Sequence, residues 1–436
     1  MNAARQERGS SQRALTSQCP REFAAGSRVF HRRMGRSPSM EPSELAAALG
    51  TAASAATYIA VQGCFHVAQL LRQRRVRAEG SPSVTILKPL SGHDDALADN
   101  LDSFAHLEHP DCELLLGLAS PADAAAPAAR AFLARHPGLD ARIVFTDAAA
   151  ATNPKVAQLI GLTRAARGDV LVVSDSNVRA TPDYLRNVLD SLLQPGVGVV
   201  SCLVAGGGER TLGAAVENAQ LCAYVAPAVS TAHVCGRPIT VGKTMAMRRG
   251  DMERAGGWGA VGDVLAEDEV LGRRFEALGF GVALCAAPVL SPNTEATLAR
   301  TLERHTRWAK MRRALSPVAF AAEPVLQPAI VAALGMLVSS SMVAVQIWLA
   351  ATGLQVLGTA AAVRRMRGRW PRWGFAGVEL VRMHVAFACW LGACVSRRVE
   401  WRGNAFLLGR GSQLVVERPG RSVRRWTRAI LRRFAS

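Results

Sequence analysis

The apolar positions of this chain fall into three kinds of run. Leu45 to Leu71 is almost free of charge and stops at Arg72-Gln73-Arg74-Arg75-Val76-Arg77. It exceeds the roughly 20 residues a helix needs to cross a bilayer. A buried core helix has no reason to end in four arginines within six residues. Arg and Lys clusters mark the cytoplasmic end of a span. The pattern therefore predicts a transmembrane helix over 45–71 with a cytosolic domain behind it.

From 80 to 316 the pattern changes to short apolar runs separated by Ala-rich stretches of helical length. Val84-Thr85-Ile86-Leu87, Cys112 to Gly117, Ala141 to Phe145 and Val170 to Ser174 read as buried strands, with helices over 94–107 and 121–135. Strand and helix in alternation predict an α/β domain with a doubly wound, mostly parallel sheet. Ligands of such sheets bind beyond the carboxyl ends of strands, where Asp94 and Asp175 then fall.

From about 325 the chain is apolar again, broken by Gln327-Pro328 and Ser339-Ser340-Ser341. Two spans are expected, 325–341 and 342–363, the second closed by the basic cluster Arg364 to Arg369. A further apolar stretch, 375–395, contains Glu379, Arg382 and His384. Charges inside a span are costly, so this stretch is either a third span or an interfacial helix. The membrane region as a whole runs over 325–396.

Composition refines this picture. The chain is 49% hydrophobic and 20% charged, with a net charge of +18. Residues 1–39 hold eight Arg and two Glu, and residues 397–436 hold eleven Arg and two Glu, so the ends carry most of the excess. The first 39 residues read as a disordered basic arm, or as sequence ahead of a start at Met40. Residues 397–436 read as a basic cytosolic tail. Arg-rich segments beside apolar spans suit anionic lipid headgroups. Nucleic acid is excluded as a partner, since it calls for a basic folded face with stacking aromatics and the chain has three Tyr. Nine Cys with no C-x-x-C pair argue against a zinc site or a disulfide framework and for a reducing compartment.

Four polar clusters interrupt the apolar pattern. Asp175-Ser176-Asn177 follows a buried strand, where a carboxylate can hold Mg2+ or Mn2+ on a nucleotide diphosphate or simply form an Asx turn. Asp94 and Asp95 can bond a base or ribose, or cap the next helix. Glu267 and Asp268 precede a helical pattern, so they serve either as acids favoured by a helix N-terminus or as a general base beside an acceptor hydroxyl. Arg304 and Arg307 share one helix face with Trp308 next to them. They suit a diphosphate, and equally a basic helix lying on a membrane.

Taken in order, these clusters resemble the pattern of lipid-directed inverting glycosyltransferases with a GT-A fold, whose last motif is (Q/R)-x-x-R-W. The closer resemblance is to ceramide glucosyltransferases and their bacterial relatives, among them hopanoid-associated enzymes. It rests on Lys88 to Asp94, Asn153-Pro154-Lys155-Val156, Asp175 to Arg179, Val241 to Arg249, Ala266-Glu267-Asp268, Arg304 to Lys310, and Trp401 to Gly409. It covers roughly residues 45–410. The resemblance implies a UDP-sugar donor, with Asp94 at the uracil-ribose part and Lys155, Asp175, Arg304 and Arg307 around the nucleotide-sugar. It implies a divalent cation, Mg2+ or Mn2+, on Asp175 and a catalytic base at Asp268, with Glu267 and Trp308 beside the diphosphate and acceptor. Where many GT-A enzymes carry a second carboxylate, this chain has Asn177. The expected reaction moves a hexose, glucose foremost, from UDP to the hydroxyl of a membrane lipid such as ceramide, with inversion to a β-glycoside. GlcNAc or galactose transfer to a hopanoid or diacylglycerol is the alternative within the class, and a non-catalytic membrane scaffold the alternative outside it. The protein is expected in a membrane, the bacterial inner membrane by this resemblance, with its catalytic domain cytosolic.

Overall fold

Four parallel strands carry the half of the sheet that the sequence predicts. In the computed structural model, which describes residues 41–72, 80–92, 94–401 and 404–416, they are β1 (Val84–Pro89), β2 (Cys112–Leu118), β3 (Ala141–Phe145) and β4 (Val170–Ser174). Beyond them come β5 (Val197–Ser201), β6 (Val204–Gly207), β7 (Thr244–Arg248), β8 (Gly281–Leu284) and β9 (Val289–Pro292). The main sheet has the order β3-β2-β1-β4-β7-β5-β8, while β6 and β9 pair separately. β7 runs antiparallel to both β4 and β5, so the sheet is mostly parallel with one reversed strand near its middle. That reversal brings Gly242 and Lys243, which precede β7, back to the carboxyl end of β4: Asp175 N–H donates to the Lys243 carbonyl at 3.0 Å.

Helices cover both faces. One core layer packs Ile86, Leu114, Leu116 and Val172 against Phe104, Phe132, Leu185 and Leu192. The opposite layer packs Leu87, Leu115, Leu171 and Val173 against Leu159, Trp258 and Phe275. Alternate residues of the same strands thus face opposite layers, as strand geometry requires. Fully burying each Leu or Phe contributes roughly 1.5–3 kcal/mol.

Among the described residues three helices are long and apolar enough to cross a membrane: Pro42–Arg72, Met342–Arg367 and Phe375–Val395. The stretch expected as a span over 325–341 falls largely in two short helical pieces, Pro317–Leu326 and Pro328–Met336, bent by 75°, which together form a broken span or a re-entrant loop by length and composition. The bend falls at Gln327-Pro328, where proline cannot continue the donor ladder of the preceding turn. The helix Phe375–Val395 can hold Glu379 and Arg382 because they face protein, while His384 is exposed. Arg382 makes two 2.6 Å bonds to Glu379 and donates to Gln220 Oε1 at 2.5 Å, and Gln355 Nε2 donates to Glu379 at 2.9 Å. Charged groups within a membrane segment are tolerable when paired in this way.

The region expected as a basic tail is ordered into a small antiparallel sheet as far as Val416. It comprises β10 (Arg398–Trp401), β11 (Asn404–Leu408) and β12 (Leu414–Val416). Its apolar residues Val399, Phe406, Leu408 and Leu414 cluster with Leu265. The arginines dominate the average charge and conceal this alternation. The basic stretches 1–39 and 417–436, where contact with lipid headgroups is expected, lie outside the described residues, as do Arg74, Arg75 and Arg77.

Candidate active site

Asn153 and Pro154 start the helix Pro154–Ala165, and with it the site. Asn153 Oδ1 accepts from the N–H groups of Lys155 and Val156 at 2.9 and 3.2 Å, an N-cap followed by proline at the first helical position. The cap's amide nitrogen donates to the Val264 carbonyl at 2.8 Å and to Glu267 at 3.3 Å, tying the helix start to the acidic loop. Lys155 then projects into the centre of the site. Its ammonium lies 2.9 Å from Asp175 Oδ1 and 3.0 Å from Glu267 Oε1, and donates to the Gly242 carbonyl at 3.0 Å. Burial opposes its charge, but the carboxylates of Asp175, Glu267 and Asp268 outweigh that and hold it above the usual lysine range.

Asp268 sits in the first turn of the helix Glu267–Ala277. Its Oδ2 accepts from Gly242 N–H at 2.7 Å and its Oδ1 from Glu269 N–H at 2.9 Å. Burial, and then the charge of Glu267, push the carboxyl up to about 7, with Lys155 and the two N–H donors pulling the other way. Such a group exchanges protons near neutrality. Gly242 is there because the space is not: a Cβ would meet Asp268 Oδ2 at 2.8 Å and Lys155 Nζ at 3.1 Å. The loop before Asp268 is held from the far end of the chain. Leu265 N–H donates to the Ser412 carbonyl at 2.9 Å, and Ala266 N–H to Ser412 Oγ at 3.1 Å.

At the carboxyl ends of β1 and β4, Ser176 Oγ donates to Asp94, and Arg300 stands 3.9 Å from the same carboxylate. Asp95 turns away: its Oδ2 accepts from Thr294 and Glu295 N–H groups, so it pins a loop. Lys88 is fully buried, lies 3.9 Å from the centre of the Phe104 ring and donates to the Asp175 carbonyl at 2.9 Å. Burial brings its ammonium down to about 7, against the pull of Asp175 and Asp94. Lys243 donates to Asn177 Oδ1 at 2.6 Å, and burial together with Arg304 brings it down to about 8.

Among the described residues no three His, Cys, Asp or Glu side chains are grouped to hold a metal ion. The strand-end carboxylate Asp175, with Lys155 on one oxygen, still suits a hard cation that draws its other ligands from a diphosphate.

Asp94, Lys155, Asp175, Glu267, Asp268, Arg304, Arg307 and Trp308 all line one cleft of about 1630 Å³. Its far wall is the helix Leu298–Leu315, capped by Thr297. Along one face of that helix the lining changes from Arg300, Arg304 and Arg307 to Trp308, Met311 and Leu315. At 1.5 Å per residue the change is spread over roughly 20 Å. The apolar end is completed by the helix Ala226–Val234, through Ala228, Val229 and Ala232, and by Val318 and Ala319 of the bent pair. Sequence reasoning places Asp94, Asp175, Asp268 and the arginine pair in order, but gives no role to Gly242 or Lys243, nor to Glu217, whose carboxylate lies 2.9 Å from Arg304 Nη1. The Val241 to Arg249 run contains two of these, and only the reversed β7 shows why they matter.

Comparison with known proteins gives the family. The model of glycosyl transferase family 21 matches residues 48–414. Ceramide glucosyltransferase 1 of Caenorhabditis elegans is 27% identical over 244 residues, 56% of this chain and 52% of that protein. Ceramide glucosyltransferase 3 of the same organism is 25% identical over 256 residues, 57% of this chain and 55% of that protein. The chain thus spans about half the length of the curated relatives it matches. A mannosyltransferase from Pyrobaculum calidifontis, solved with GDP-Man and Mn2+, covers 80% of this chain and 98% of its own at 20% identity. Its TM-score is 0.45. The fold is that of GT-A glycosyltransferases, an α/β sheet domain flanked by membrane helices. The family match covers most of the chain, and this protein belongs to glycosyl transferase family 21.

Proposed function

We propose that this chain is an inverting, membrane-bound glycosyltransferase that moves a hexose, glucose foremost, from a UDP-sugar to the hydroxyl of a membrane lipid such as ceramide. One observation carries the reading. A single cleft has a cationic end at Lys243, Arg304 and Arg307, an apolar end beside the membrane helices, and Asp268 on its wall. A diphosphate suits the first end, an alkyl chain the second, and a hydroxyl joining them falls near the carboxylate. The names of the Caenorhabditis elegans relatives support the same acceptor class.

In this mechanism Asp94 bonds the nucleoside part of the donor. The guanidinium groups of Arg304 and Arg307 bind the diphosphate through forked donors. Asp268 takes the proton from the acceptor hydroxyl as that oxygen attacks the anomeric carbon on the face opposite the diphosphate, which inverts an α-linked donor to a β-glycoside. Lys155 holds Asp175 and Glu267 in fixed relation, so the donor and base halves of the cleft keep their spacing. Lys243 and the arginines stabilise charge building on the departing diphosphate. A Mg2+ or Mn2+ ion held by Asp175 and phosphate oxygens would add positive charge to that same leaving group. Arg72 and the arginines ending Met342–Arg367 support a cytosolic catalytic half, since basic residues mark the cytoplasmic ends of spans.

Membranes containing the full chain, given radiolabelled UDP-sugars and candidate lipids, test this by lipid mass spectrometry. UDP-glucose and ceramide are expected to give a β-glucosylated lipid. Asp268→Asn is expected to lower transfer by about 10²–10⁴-fold, the usual worth of a general base, with membrane insertion intact. Full transfer by that variant would sink the mechanism, and no transfer from any donor by the parent chain would favour a scaffold.

A further inference from the structure

Arg304 is aimed from behind. Glu217 lies on the helix Leu212–Gln220 with its side chain only 2% exposed, and its Oε1 accepts from Arg304 Nη1 at 2.9 Å. Its other oxygen stands 3.3 Å from His305 Nε2. Asn293 Oδ1 is a second, longer acceptor for the same Arg304 nitrogen at 3.4 Å. Burial works against the Glu217 charge, but His305 and Arg304 outweigh it and bring the carboxyl down to about 2. The carboxylate is therefore ionised across any working pH. Arg304 itself is 18% exposed and still lines the cleft.

The helix carrying Glu217 has little freedom to move. At its start, Thr301 Oγ1 donates to the Gly213 carbonyl at 3.0 Å, and a Cβ on Gly213 would come within 2.3 Å of the Thr297 backbone. At its end, Gln220 is gripped by Arg382 of the helix Phe375–Val395. Glu217 thus stands on an element fixed to the Arg304 helix on one side and to a membrane helix on the other. Arg304 and Lys243 both line the cleft, and the guanidinium's charge opposes that of Lys243, which the Asp175 and Asp94 carboxylates favour. A carboxylate behind one of them offsets that repulsion without occupying the cleft.

We propose that Glu217 is a positioning residue that points the Arg304 guanidinium at the donor diphosphate. This rests on the reading above that Arg304 meets the diphosphate, so the two are tested together. The probe is UDP, titrated against the detergent-solubilised full chain, with donor and acceptor KM and the thermal midpoint measured alongside. Arg304→Ala is expected to weaken UDP binding. Glu217→Gln, which keeps the shape and removes the charge, is expected to weaken it by about tenfold, about 1.4 kcal/mol, because the guanidinium is misaimed and not lost. Donor KM rises in that variant while acceptor KM holds. Glu217→Asp keeps the charge but withdraws it by one methylene. It is expected to raise the UDP Kd several-fold with little change in thermal midpoint, and it decides the matter alone if Glu217→Gln does not fold. Arg304→Ala combined with Glu217→Gln should bind UDP no worse than Arg304→Ala by itself, because one interaction cannot be lost twice. Unchanged UDP affinity in Arg304→Ala would overturn both readings. A loss in Arg304→Ala with none in Glu217→Gln and Glu217→Asp, or a fall in thermal midpoint with donor KM unmoved, would overturn the role of Glu217 alone.

Discussion

Lys155 Nζ lies 2.9 Å from Asp175 Oδ1, although the two residues belong to different elements and face each other across the end of the sheet. The same ammonium touches Glu267 and the carbonyl of Gly242. Three acceptors surround a group with three donors, so Lys155 is committed to holding the site together. Its contribution to the nucleotide-sugar is therefore through Asp175 and the acid pair.

That commitment sets a pH signature. Asp268 is raised to about 7, with Glu267 pushing it up and Lys155 pulling it down. Transfer is expected to fall on the acid side as Asp268 takes up a proton, with an apparent midpoint near neutrality. Lys155→Met removes the downward pull and moves that limb to higher pH. Glu267→Gln removes an upward push and moves it to lower pH. Rate profiles of kcat/KM against pH for the three proteins check the opposite signs, and shifts in the same direction would refute the assignment.

Gly242→Ala places a methyl where Asp268 and Lys155 already are. The carboxylate must swing or lose its 2.7 Å bond from the Gly242 N–H. A fall in kcat of about 10²-fold is expected from a displacement of this size, with UDP affinity within a few-fold of the parent. Steady-state kinetics and a UDP titration on one preparation separate the two quantities.

The apolar end of the cleft makes a separate prediction. Ala228→Trp and Leu315→Trp fill space between the helices Ala226–Val234 and Leu298–Leu315. Acceptor KM is expected to rise about tenfold for a long-chain lipid and less for a short-chain one, while donor KM stays put. Each buried CH2 lost costs about 0.8 kcal/mol, so the gap should widen with chain length. An effect equal for all chain lengths would place the acceptor elsewhere.

The pair Arg382–Glu379 joins a membrane helix to the sheet domain through Gln220. Arg382→Leu leaves Glu379 buried beside Gln355 without its partner. A destabilisation of about 3–5 kcal/mol is expected from breaking a buried pair. Changing Glu379 to Leu as well should recover much of it. Thermal midpoints in one detergent compare the single and double variants.

Much of the fold was legible in the chain. The runs at Val84, Cys112, Ala141 and Val170 are β1 to β4; β1, β2 and β4 are buried, and a buried parallel strand has to be apolar on both faces, while β3 is the half-exposed edge strand. The spans at 45–71 and 342–363 fall within helices long and apolar enough to cross. β7 was not legible as a strand of reversed direction, since Thr244-Met245-Ala246-Met247 has no β-branched run to announce it. The bend at Gln327-Pro328 was visible only as a break, and its 75° angle depends on the helices packed around it. The C-terminal sheet was masked by arginines, whose charge says nothing about the alternating Val399, Phe406 and Leu408 between them.

The sequence by itself determined the order of the acidic and arginine clusters, the apolar spans around them and the family they belong to. Those are properties of neighbours along the chain, set by local hydrophobicity and spacing. Only the tertiary structure decided which charges meet. Lys155 among Asp175, Glu267 and Gly242, Arg304 on Glu217, Asp95 turned back on its loop, and Ser412 over the Asp268 approach all join residues far apart in sequence. A buried charge is stable only with its partner, and that partner is chosen by packing in three dimensions.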